Sequence, residues 1–157
     1  MDDIKRILVV SRSTKNCKKA LHYGISLAKQ FNTKLYVLHI IHDPFSVDGW
    51  NLPIPSLKQE YENLVKKARE EIDRIIKAEK ADGLEITEWI RDGKPSEEVI
   101  AAVKEEKIDL IIMSAHEEGR FEHYLFGRAV EELTRKMLCS VLLVKYNPWH
   151  QSAQRQS

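Results

Sequence analysis

Short runs of β-branched and other apolar residues alternate with helix-periodic segments along nearly the whole chain, and this alternation leaves few folds open. Arg6–Val10 (RILVV) is an unbroken run of the kind found in strands buried on both faces. Cys17–Phe31 sets Ala20, Leu21, Ile25, Leu27 and Ala28 at helical spacing and stops at Asn32-Thr33. Lys34–Ile41 (KLYVLHII) reads as a second strand. Ser56 caps a long helix, Leu57–Ala81, whose Leu57, Tyr61, Leu64, Val65, Ala68, Ile72 and Ile75 trace one face while Lys and Glu fill the rest. Gly83 stops it. Leu84–Arg91 then alternates (Leu84, Ile86, Glu88, Ile90 in one row), which predicts a half-exposed edge strand. Lys94-Pro95-Ser96-Glu97-Glu98 opens a helix that runs to about Lys107, with its proline and its acids where a first turn favours them. A strand at Leu110–Met113, a polar loop, Gly127, a short amphipathic helix and an all-apolar strand at Val141–Val144 complete the series. Five strands joined by helices predict an α/β fold: a parallel sheet with right-handed crossovers and helices on both faces.

The 157 residues suit one domain, expected over 1–147, with 148–157 (PWHQSAQRQS) as a flexible tail. Twenty-five Lys and Arg against twenty-four Asp and Glu leave a net +1, with the signs interspersed. That balance lacks the basic footprint of a nucleic-acid binder. No apolar run approaches the roughly 20 residues that span a bilayer, so membrane insertion is not expected. Met1-Asp2-Asp3 ahead of a strand does not resemble a signal peptide, which makes the cytoplasm the expected compartment. Cys17 and Cys139 fit no metal spacing and fall at opposite ends of the predicted sheet, so no disulfide is expected.

Chemistry-bearing residues concentrate in the segments that follow the strands. The stretch 42–56, with prolines at 44, 53 and 55, is long for a compact domain and is a candidate functional loop. His39 and His42 follow the second strand, and His116 and His123 follow the fourth, with Asp43, Glu117 and Glu122 close in sequence. Such a set contains ordinary Zn²⁺ ligands, yet His39 is expected to pack within the sheet, and no metal site is expected. Phe45, Trp50, Phe121, Tyr124 and Phe126 lie in the same two loops and suit satellite packing or a partner surface. Cys17 has no identifiable partner base, and no P-loop, HExxH or GxSxG is present.

Three segments, the last two overlapping over Asp109–His116, carry a family resemblance. They are IKRILVVSRSTKNCKKALHYGISLAKQFNTKLYVLHI at the start, GKPSEEVIAAVKEEKIDLIIMSAH in the middle, and DLIIMSAHEEGRFEHYLFGRAVEELTRKMLCSVLLVK near the end. Leu38-His39-Ile40, Gly93 and Pro95 stand where the family has its own landmarks. Over about residues 4–145 the chain resembles the universal stress protein family. The resemblance implies a Rossmann-like five-stranded parallel sheet of order 3-2-1-4-5, with a ligand crevice between strands 1 and 4. It also implies a nucleotide site at Val10, Arg12, Ile40, Met113, Ser114, Glu117, Gly127 and Arg128.

At these positions the chain departs from the family pattern. The family's ATP binders hold adenine with an aspartate where this chain has Arg12, and a guanidinium offers donors but no acceptor. Their loop pattern, G-x-x-G-x9-G-[S/T], falls here on Ser114, Glu117, Gly127 and Arg128, so one glycine of three is kept. Glu117 places a Cβ and a negative charge where phosphates would lie. At about 4 Å such a pair repels by roughly 4 kcal/mol at an effective dielectric of 20. Arg12 and Glu117 are expected to pair across the crevice mouth.

The expectation is a binding and regulatory domain of stress response, with weak or no ATP binding, no obligatory cofactor and no catalysis. ATP or AMP is the cofactor that the frame would admit. One alternative is an ATP-binding switch or slow ATPase; another is a metal protein or enzyme using the histidine-rich edge. The strand Ser140–Lys145, apolar at a sheet edge, is expected to form a homodimer, as the resemblance also implies, and a protein partner is a further expectation.

Overall fold

A computed structural model describes residues 3–11, 17–41, 55–115, 131–136 and 138–145. Its strands are β1 (Arg6–Ser11), β2 (Lys34–Ile41), β3 (Ile86–Asp92), β4 (Leu110–Ala115) and β5 (Ser140–Lys145). Its helices are α1 (Cys17–Phe31), α2 (Pro55–Ala81) and α3 (Pro95–Glu106), and a further helical turn and a half covers 131–136. The strands pair in parallel in the order β3-β2-β1-β4-β5, as expected.

Strand alternation divides the core into two layers. Ile7 and Val9, Leu35 and Val37, and Leu110 and Ile112 face one side, where Ala20, Leu21, Ile25 and Ala28 of α1 and Ile72 and Ile76 of α2 cover them. Leu8 and Val10, Tyr36, Leu38 and Ile40, and Ile111 and Met113 face the other, under Val99, Ile100 and Val103 of α3 and Leu133. The three central strands are apolar on both faces because both faces are covered. β3 and β5 are the sheet's two edges.

Element boundaries shift where backbone hydrogen bonding decides them. α2 begins at Pro55, two residues before the expected Leu57, because proline presets a helical φ and a first-turn residue needs no N–H partner. Leu84 does not join β3. Its N–H donates to Glu79's carbonyl at 3.0 Å in the turn that closes α2, with Gly83 at φ 92°, so β3 starts at Ile86. α3 ends at Glu106, and Lys107 takes the left-handed conformation (φ 52°) with its N–H on Val103's carbonyl. β4 extends to Ala115 because Ser114 and Ala115 continue the ladder to Val144 and Lys145.

Two residues fix the layers closely. Asp109, just ahead of β4, accepts the backbone N–H groups of Lys5 and Arg6 on one carboxylate oxygen at 2.9 and 2.8 Å. Its own N–H and carbonyl reach Arg6 and Ser140, so one residue joins the amino ends of β1, β4 and β5. Gly24 lets α1 lie directly on the sheet. A Cβ there would meet Val9's Cγ2 well inside van der Waals contact, and Leu35's Cδ1 at 3.3 Å.

Candidate functional site

The chain crosses from β1 to β2 by α1 and from β3 to β4 by α3, on opposite faces, so the winding reverses between β1 and β4. In open parallel sheets the ligand crevice lies outside the carboxyl ends of the strands at such a reversal. The register shows the opening directly. β1 and β4 pair only from Ile7–Leu110 to Val9–Ile112. Pairing of β1 with β2 continues to Ser11–His39, and that of β4 with β5 to Ala115–Lys145. The two strands therefore part above Val9 and Ile112.

Val10 and Met113 bracket this opening with their side chains buried in the α3 layer, which Ile40 joins two residues further along β2 than Val10's partner Leu38. Ser11 and Ser114 are buried on the α1 side of the same level. The first turn of α1 stands above. It contains no acid but two lysines, an arrangement that opposes the helix dipole and suits an anion. Both lysines are tethered: Lys18 to Glu71 of α2 at 3.3 Å, and Lys19 to the carbonyl of Lys145 at 2.7 Å. The latter fastens α1 to the end of β5.

Of the residues named from sequence for the site, Val10, Met113 and Ser114 fall where β1 and β4 part, and Ile40 lies two residues beyond the Val10–Leu38 pair on β2. Arg12, Glu117, Gly127 and Arg128 lie outside the described residues, as does the expected Arg12–Glu117 pair. His42, His116 and His123 also lie outside them, together with nearly all of the 42–56 stretch and the 148–157 tail.

His39 is inside the sheet, as expected, but its surroundings are polar. Its side chain is 2% exposed on the α2 side, and neither ring nitrogen has a hydrogen-bond partner among the described residues. Burial pushes the imidazole below its ordinary pKa; Arg69 adds to that effect, and Glu88 and Asp73 oppose it. Glu88 of β3 presents Oε2 to His39's Nε2 at 4.0 Å, and its Oε1 accepts from Lys80's Nζ at 2.8 Å. Asp73 of α2 completes the group: one ligand atom from each of the three residues lies within 4.8 Å of the others. Asp73 and Glu88 are the functional candidates that sequence reasoning passed over. The available signal was Glu88 itself, a carboxylate in the row Ile86, Glu88, Ile90, of which Ile86 is buried.

On the other face of β2 and β3, Tyr36 and Trp89 stack at 4.9 Å. Arg91 lies 5.5 Å from the Trp89 ring and pairs with Glu98 and Glu105 of α3. This cluster ties the β3 edge to α3. Among the described residues no helix is long and apolar enough to cross a membrane.

Residues 3–145 match the profile of the universal stress protein family. A universal stress protein of Methanocaldococcus jannaschii is 25% identical over 146 residues, which cover 90% of this chain and 82% of that protein. Among solved structures, the chain is similar to a universal stress protein family protein from Arabidopsis thaliana with AMP bound. That likeness has a TM-score of 0.57 and 15% identity, and covers 93% of this chain and 94% of the other. A universal stress protein in complex with cAMP matches with a TM-score of 0.58 at 18% identity, covering 92% of this chain and 98% of the other.

Proposed function

The chain belongs to the universal stress protein family, and from that premise we propose that it is a cytoplasmic stress-response domain that acts by binding rather than by catalysis. Its crevice takes adenine nucleotides weakly and disfavours ATP. The observation that carries this reading is the parting of β1 and β4 above Val9–Ile112, at the reversal of winding and below a lysine-bearing helix N-terminus. Relatives of the same fold are described with AMP and with cAMP bound, which supports a nucleotide-sized ligand. The sequence at the rim supports weak affinity. Arg12 follows β1 where an acceptor for the adenine amino group is needed, and Glu117, Glu118 and Glu122 follow β4 where phosphates would lie. Each added phosphate meets more of that negative charge, so AMP is favoured over ATP.

Calorimetric titration with AMP and with Mg-ATP tests the reading. The expected result is weak AMP binding and ATP binding no tighter than the high-micromolar range. The double change Arg12→Asp with Glu117→Gly should tighten ATP by about tenfold or more, equivalent to roughly 1.4 kcal/mol. A low-micromolar constant for ATP on the unaltered chain would overturn the proposal.

A further inference from the structure

We propose that His39, Asp73 and Glu88 form a binding site for one divalent transition-metal ion of the Zn²⁺ class, clipping α2 to β2 and β3. Four observations carry it. The imidazole is 2% exposed and neither of its nitrogens has a hydrogen-bond partner among the described residues, an expensive arrangement for a buried polar group that a metal bond would relieve. Two carboxylates from two other elements converge on it, with one ligand atom per residue inside a 4.8 Å group. Tetrahedral coordination at Zn²⁺ bond lengths needs ligand atoms about 3.3 Å apart, so the 4.0 Å between Nε2 and Oε2 closes by small side-chain rotations. Finally, the two oxygens of Glu88 divide their roles. Lys80 holds Oε1 at 2.8 Å and leaves Oε2 aimed at the histidine, the outer support that metal-bound carboxylates require.

The chemistry of the donors selects the ion. A nitrogen ligand beside two carboxylates favours Zn²⁺, Co²⁺, Ni²⁺ or Mn²⁺ over Mg²⁺ and Ca²⁺, which take oxygen. Three protein donors leave a position for water, and the partly exposed Glu88 (31%) gives the ion a route from solvent. Two carboxylates and a neutral imidazole balance a divalent charge. Arg69, one helical turn before Asp73, is the cation whose field acts on the histidine, and the same field opposes a metal cation there. The site differs from the loop histidines considered from sequence, because its two carboxylates come from α2 and β3.

The test is calorimetric titration of the chelator-stripped full chain with Zn²⁺ and with Co²⁺, with the Co²⁺ visible spectrum as a reporter of geometry. One ion per chain is expected, with Zn²⁺ raising the thermal midpoint and shifting the His39 ring nitrogens in NMR spectra. Asp73→Asn and Glu88→Gln keep size and each should weaken Zn²⁺ by tenfold or more. Arg69→Met should tighten it, a gain that misfolding cannot produce. Absence of stoichiometric binding, or binding untouched by Asp73→Asn and Glu88→Gln, overturns the proposal. Binding that survives both changes and is lost in His116→Ala or His123→Ala overturns it equally, by moving the ion to the loop histidines.

Discussion

Asp109 joins three strands through a single short side chain, and its removal isolates what that junction contributes. Two backbone donors, those of Lys5 and Arg6, lose a charged acceptor in Asp109→Ala. Hydrogen bonds to charged groups contribute about 1.5–3 kcal/mol each, and water recovers part of that at this partly exposed site. The expected loss is about 1.5–3 kcal/mol in urea denaturation, with Asp109→Asn losing less because it retains an acceptor oxygen. An unchanged midpoint in Asp109→Ala would show that the junction is only geometric. At this scale the sequence was legible for residues whose role follows from periodicity, such as Ile7, Leu35 and Ile112 in the core. It was silent on Asp109 and on Asp73. Each acts through a neighbour brought close by the fold, Asp109 across about a hundred residues and Asp73 from a crossover helix. No local pattern encodes a partner at that distance.

At the scale of elements, α1 shows how close packing overrides propensity. Alanine is a better helix former than glycine by about 1 kcal/mol, so propensity alone predicts that Gly24→Ala stabilises α1. The contact with Val9 and Leu35 predicts the opposite, since the added methyl forces the helix off the sheet. Overpacking of this kind costs about 1–3 kcal/mol. Thermal denaturation should therefore show Gly24→Ala less stable than the parent, and a rise in midpoint would mean that α1 does not lie this close to β1. The same competition explains which boundaries were legible. α1 matched its expected span because its ends coincide with its pattern. β3 and α2 moved by two residues because a turn hydrogen bond at Leu84 and a first-turn proline, rather than hydrophobic period, set their limits.

For the whole molecule, strand order and layering were legible because five apolar runs and their intervening helices admit few right-handed arrangements. The parting of β1 and β4 follows from that strand order, whereas Arg12, Glu117, Gly127 and Arg128, which the resemblance assigns to the nucleotide site, lie outside the described residues. The homodimer expected from the β5 edge belongs at this scale. Val141 and Leu142 are half-buried and Leu143 is 43% exposed on a strand with no neighbour on its outer side among the described residues. Antiparallel pairing with the same strand of a second copy would complete both ladders. Sedimentation equilibrium should give a dimer for the parent chain and a monomer for Leu142→Pro, which removes a ladder donor. A parent chain that stays monomeric at high micromolar concentration would contradict the pairing. The short β1–β4 ladder has a mechanical meaning as well. Its three rungs, against six on β1–β2 and six on β4–β5, make it the weakest line across the sheet, and α1 straddles it by packing on both β1 and β4. The crevice opens at the upper end of that same line. A ligand bound there would act as a rivet at a seam, so occupancy would be felt as stiffness between two halves of the domain rather than as a change in the shape of either.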